Sequence, residues 1–319
     1  MNQPSQPRTI ASTDVGIVLR KAVELLTQRP VPTIGSAVLA QLPTTLATTG
    51  ALLALGPFFQ GMFNSGSLGA DESFEDMVRT RLLPNLPVLV GGGVLALVVI
   101  YLLYAIQVGA VMQVVVDAYA RRTSTLGAAL ASGVRRAPTL MIFLLTKQLA
   151  TVIVAGIAMG MFLLPLVAIP DGASYAGPVA AMLSIVGGLV AAVVAFGTWS
   201  MFSLGAGAIV AEKVGPFAAL ARGVTLARND PATVLLTWLA SGAVYMILGC
   251  VTNCCTSAIT APVQLGVGAI AGSVASQLVQ LVPIAILGSA IHAVGAVLYG
   301  EFAGLGVERD PAEVADVFR

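Results

Sequence analysis

Lys147 and His292 are the two side chains whose chemistry sits least easily with their neighbours, because each lies inside a run of apolar residues long enough to cross a bilayer. A charge held in hydrocarbon is a functional candidate by default, since keeping it there is costly. Lys147 stands nine residues into its run. That is roughly 13 Å of helix, near the limit from which a lysine stem carries its ammonium back to the interface. Snorkelling, or pairing with a helix-end acid such as Asp117, therefore competes with a site role. His292, the single histidine, has the chemistry of a proton relay or of an axial ligand to a haem or chlorin metal. Gly288, Ser289, Ala290, Ala293 and Gly295 around it suit close helix packing and an interhelical hydrogen bond instead. It is the one cofactor candidate, and no resident cofactor or metal is expected.

The remaining reactive residue types form no recognisable centre. Cys250, Cys254 and Cys255 have no histidine nearby, whereas a zinc site takes four ligands from Cys, His or carboxylate. They read as small packing residues, or as one disulfide if their face is oxidising. Gly91-Gly92-Gly93 has neither the following Lys-Ser/Thr nor the preceding strand of a phosphate loop. Gly156 with Gly160, and Gly187 with Gly188, more plainly let helix backbones approach. Asp117, Glu212, Asp230 and Glu301 are acids near span ends without a histidine to complete an acid–base pair. No catalytic residue is expected, and the chain reads as a non-enzyme.

The elements that hold these residues follow from composition. Hydrophobic residues make up 57% of the 319-residue chain and charged ones 10%, with a mean hydropathy of +0.92. Soluble domains carry about 25% charged residues, and a globule in water could not cover this much apolar surface. The fold class is therefore all-α: a polytopic transmembrane helix bundle of about six spans. A net charge of +1, with no basic stripe, excludes nucleic acid as a partner. Residues 1–13 are a polar tail without a signal-peptide core, so the first span is expected to serve as an uncleaved insertion signal. Residues 14–302 form the transmembrane domain and 303–319 a charged tail.

Residues 14–29 show three-four apolar spacing, start at Thr13 or Asp14 as a cap, and stop at Arg29-Pro30. This helix is too short to span and is expected to lie in the headgroup plane, apolar face down. Similar amphipathic stretches occupy 125–137 and 216–229. Spans are expected at about 33–59, 85–119, 139–169, 179–210, 231–251 and 281–299, with Asp230 as N-cap and Pro231 at the first position of the fifth. Residues 252–280 carry no charge and read as an outer-face helix, a re-entrant segment or the start of a long bent sixth span. A seventh crossing there would reverse the C-terminus. Ala128-Ala129-Leu130-Ala131-Ser132-Gly133-Val134 matches Ala218-Ala219-Leu220-Ala221-Arg222-Gly223-Val224 at a spacing of 90 residues. Three repeated units result, each an interfacial helix followed by a helical hairpin.

Charge orients the bundle. With six spans, thirteen Lys or Arg fall on the side of the N-terminus and two, Arg79 and Arg81, on the other. Basic residues mark the cytoplasmic face, so the N-terminus is expected in the cytoplasm of a bacterial cell, with the chain in its inner membrane. On that face Arg121, Arg122, Arg135 and Arg136, with Arg20, Lys21, Arg222 and Arg228 in the other two units, would attract anionic lipid by about 1 kcal/mol each, besides setting topology.

The runs QVGAVMQVVVDAYARRTSTLGAALASGVRR and VAEKVGPFAALARGVTLARNDPATVLLTW give a layout that resembles a bacterial family. It is the membrane domain that precedes the catalytic barrel in some glycerophosphodiester phosphodiesterases, together with stand-alone integral-membrane relatives. The resemblance covers about residues 14–302 and is strongest over 210–238. It implies the topology and no catalytic residue, since the activity of such proteins belongs to a soluble barrel for which this sequence leaves no room. The tail YGEFAGLGVERDPAEV is like the family's acidic end but lacks its Glu-Gly pair.

The expected function is a non-enzymatic structural or accessory component of a membrane complex, or a lipid-organising protein. Its partners would be anionic membrane lipids and other membrane subunits. The alternative is a transporter or channel for a small solute or lipid, for which Pro43, Pro283, Lys147 and the uncharged 252–280 segment argue, because broken helices line transport sites.

Overall fold

Largely apolar helices fold here into one bundle, seen in a computed structural model that describes residues 14–63, 83–164, 176–267 and 269–305. Residues 1–13, 64–82 with Arg79 and Arg81, 165–175, 268 and 306–319 lie outside the described residues. The elements are α1 (Val15–Gln28), a π-helical turn (Val31–Gly35), α2 (Ser36–Phe63), α3 (Leu83–Tyr119), α4 (Leu126–Leu163), α5 (Ala176–Ser203), α6 (Gly205–Ala211), α7 (Pro216–Ala227), α8 (Pro231–Val267) and α9 (Ala269–Phe302). Among the described residues there is no strand. Five stretches are long and apolar enough to cross a membrane: Val90–Tyr119, Leu126–Leu163, Gly177–Ala211, Pro231–Pro262 and Ala271–Phe302. The chain is an all-α, multi-pass membrane protein. The 28-residue α2 stands where the first span is expected.

Two expected boundaries move. Residues 125–137 are not a helix of their own, because α4 runs unbroken for 38 residues from its Thr125 cap through Pro138. Proline removes one backbone donor. The carbonyl left without its partner belongs to Val134, an exposed residue, where another donor can reach it. Of the three readings of 252–280, the start of a long sixth span fits 269–280, which begin the 34-residue α9, while 252–267 lengthen α8 to 37 residues, so the last two spans make one long helical hairpin. Gln280 donates to Asn253 across that hairpin at 2.9 Å. The helices also continue through Pro43 and Pro283, which removes the broken-helix argument for a transport path.

The core gathers around α9. Half of its most apolar stretch (50%) is buried inside the protein, against 11% of that covering α5 and α6. Ala293, Val297, Leu298 and Tyr299 of α9 are buried with Val111 and Val115 of α3, Leu140 and Phe143 of α4, and Leu204 beside α6. Large side chains such as Leu95, Leu189, Val193 and Met246 are left exposed. An apolar rind around an apolar core is stable in hydrocarbon and not in water.

Candidate functional site

The three amphipathic segments reach one end of the bundle, and each is tied there to the end of the even-numbered span that precedes it, the last span standing before the first unit. In α1, Val18 and Ala22 are buried against the core, so its apolar face meets protein, with Ile17 and Val23 left exposed. This places Lys21 Nζ 2.6 Å from Glu301 Oε1 at the end of α9. The Tyr119 hydroxyl, from the end of α3, donates to the same oxygen at 2.6 Å. Glu212 Oε1, after α6, receives the Tyr299 hydroxyl at 2.7 Å and Arg222 Nε of α7 at 3.0 Å. In the remaining unit Ser132 donates to Gln113 Oε1 at 2.9 Å, and Gln113 donates to Asp117 Oδ1 at 2.8 Å.

The repeated glycines explain how the segments come so close. A Cβ on Gly133 would lie 2.5 Å from the Ile106 carbonyl oxygen, and one on Gly223 would lie 3.0 Å from that of Met201. Only a residue without a side chain admits that approach. The three even spans also end alike, in left-handed backbone at Arg121 (φ 53°), Lys213 (φ 59°) and Gly304 (φ 69°). Glycine is usual at such helix ends. Two of the three here carry a cation, which suits the negative end of the helix dipole.

The expected lipid-facing cations divide into two groups. Lys21 and Arg222 are spent on the acids just described, and the Arg136 guanidinium donates to the Ile209 carbonyl of α6. Arg20, Arg122, Arg135 and Arg228 are exposed, and Arg29 donates to the Arg122 carbonyl at 2.8 Å. Arg135, Arg136 and Lys213 line a cavity of about 260 Å³, completed by Thr139, Ile209 and Val214. No acid lines it. Asp230 is occupied elsewhere, as the cap of α8. The Thr233 hydroxyl at 2.6 Å and backbone N–H at 3.0 Å hold its carboxyl below the usual carboxylate range.

Deeper in the bundle, Lys147 is buried at 8% exposure and has not snorkelled to the surface. Its Nζ lies 3.2 Å from Ser203 Oγ and 4.6 Å from the centre of the Trp199 ring. The expected partner Asp117 is engaged by Gln113 instead, because α3 carries it to the charged end, away from Lys147. No carboxylate pairs with Lys147 among the described residues. A cavity of about 220 Å³ opens beside it, lined by Ile100, Tyr101, Tyr104, Leu144, Gln148 and Trp199. Tyr104 and Gln148 are exposed, so the cavity opens on the flank of the bundle between α3 and α4. Tyr104 also touches His292 of α9, ring centres 5.3 Å apart, and Trp199 meets the edge of Trp238 at 4.9 Å.

His292 is buried, and Gly288 and Gly295, one turn to either side, admit Gln107 and Trp238 respectively. No group of three metal-ligating side chains occurs among the described residues. Cys250, Cys254 and Cys255 are free and exposed on α8. Gly187 receives Phe162, but Gly91, Gly92, Gly93, Gly156, Gly160 and Gly188 meet nothing within 4 Å among the described residues, so they close no helix contact there. Sequence reasoning missed Trp199, Ser203 and Tyr104. Trp199 carried a signal, being a tryptophan deep in an apolar run when the residue prefers interfaces. Buried Trp238 Nε1 and Thr237 Oγ1, with no hydrogen-bond partner among the described residues, were missed too. Comparison with protein-family models, curated proteins and solved structures finds no match to this chain.

Proposed function

We propose that this chain is a non-enzymatic, lipid-organising component of a bacterial cytoplasmic membrane, with its N-terminus inside, that gathers anionic phospholipid at its charged end. The observation that carries the reading is the cavity of Arg135, Arg136 and Lys213, three cations without an acid among its lining residues. Basic pockets between spans on the cytoplasmic side suit phosphate headgroups. A planar guanidinium offers a phosphate two parallel donors. Membership among the stand-alone relatives of the phosphodiesterase membrane domain, suggested by the layout, belongs to the same proposal.

Native mass spectrometry of the purified protein with phosphatidylglycerol and with phosphatidylcholine tests it. The anionic lipid is expected to remain bound at several-fold higher occupancy, and Arg135→Gln with Lys213→Gln to abolish the difference. Equal retention of both lipids by the wild-type protein would overturn the reading.

A further inference from the structure

The cavity beside Lys147 is a separate feature from the surface pocket. Lys147 lies eleven residues beyond Arg136 along α4. That is about 16 Å of helix, half the thickness of a ~30 Å hydrocarbon core. Among the described residues the ammonium is given one hydroxyl, one aromatic face and no carboxylate. Such a group leaves most of its interaction capacity for something that enters the cavity. The side of that cavity is open at Tyr104 and Gln148, toward the space that the exposed Leu145 and Val152 place in lipid. Its lining adds two tyrosines and a glutamine, each carrying a hydrogen-bond donor, to the ammonium.

We propose that Lys147, Tyr101, Tyr104 and Gln148 form a binding site for the carboxylate of a long-chain fatty acid that enters sideways from the membrane. The carboxylate is chosen over a lipid phosphate for a physical reason. A carboxylic acid crosses into hydrocarbon as the neutral acid, and where Lys147 stands as the free amine the acid's proton passes to it, so the ammonium–carboxylate pair forms without a net charge having crossed the lipid. A phosphate diester stays ionised at every physiological pH, so carrying it to this depth incurs the full desolvation cost of a charge. The cavity's volume of about 220 Å³ takes a headgroup and the start of a chain. The rest of the chain lies along the apolar flank of α4.

A palmitic acid analogue carrying a diazirine and an alkyne, irradiated with the full-length protein in neutral detergent, is the probe. The expected result is labelling on α3, α4 or α5 that excess oleic acid removes and that oleyl alcohol and phosphatidic acid leave in place. Lys147→Gln is expected to lower labelling at least tenfold, and Lys147→Arg to retain most of it. Tyr104→Phe, which keeps the ring, should lower it several-fold, so the test does not rest on one variant's folding. Arg136→Gln in the surface pocket should leave labelling unchanged, whatever becomes of phospholipid retention there. Labelling that survives Lys147→Gln in a folded variant, or that oleyl alcohol or phosphatidic acid removes as well as oleic acid does, would overturn the proposal. So would an absence of competable labelling in the wild-type protein.

Discussion

At position 147 an ammonium is surrounded by side chains that offer it one hydroxyl and one aromatic face. Desolvating a lone charge costs several kcal/mol, and a cation–π contact returns about 0.5–2 kcal/mol of it. Methionine has a similar length and no charge. Lys147→Met is therefore expected to leave the protein as stable or to stabilise it by up to about 3 kcal/mol, read as thermal unfolding in detergent. A fall of several degrees would mean that Lys147 holds the bundle together and is not maintained at its expense. Sequence alone pointed to the lysine, because a charge in an apolar run is visible locally. It could not name Trp199 and Ser203, which stand 52 and 56 residues away and become neighbours only when α4 and α5 pack together. For the same reason Asp117 looked available until the path of α3 put it at the other level.

Between elements, the strongest ties join residues far apart in the chain. Tyr119 and Glu301 are separated by 182 positions, and no periodicity encodes such a pair. The Lys21–Glu301 bridge has side chains 41% and 20% exposed, so it contributes under about 1 kcal/mol. The phenol bond to the same carboxylate is a hydrogen bond to a charged group, for which about 1.5–3 kcal/mol is usual. Tyr119→Phe is thus expected to destabilise the bundle more than Lys21→Gln, and the two losses should fall short of adding once Glu301→Gln is in place. Equal single effects in a denaturation series would contradict this ranking. Helix limits were legible where a cap and a stop coincided, as at Asp14 with Arg29-Pro30 and at Asp230-Pro231. They were not legible at Pro138, which reads as a breaker but sits where its missing bond falls on an exposed carbonyl. Nor were they legible in 252–280, whose small uncharged residues fit helix, loop and re-entrant turn equally well.

For the whole molecule, composition sufficed for the class, since hydrocarbon is the one solvent for such a chain, and the distribution of Lys and Arg gave an orientation to test. Cys254 lies 23 residues past the start of α8, about 35 Å along its axis, and is exposed like Cys255. With the N-terminus inside, a membrane-impermeant maleimide is expected to label Cys254 and Cys255 on intact cells. A cysteine at position 122 of an otherwise cysteine-free chain should react only after lysis. The reverse pattern would invert the bundle and place the basic cavity outside.

Lys21 and Glu301 close the bundle between its first and last helices with the same kind of contact that Arg222 and Glu212 make between neighbours. The polypeptide is in effect a ring of three units with one covalent link left out. Where translation starts is then a matter of order and not of architecture. A circularly permuted chain, its old ends joined near Glu301 and a new opening made in the turn after Tyr119, would insert each helix in its original direction and find every partner already named.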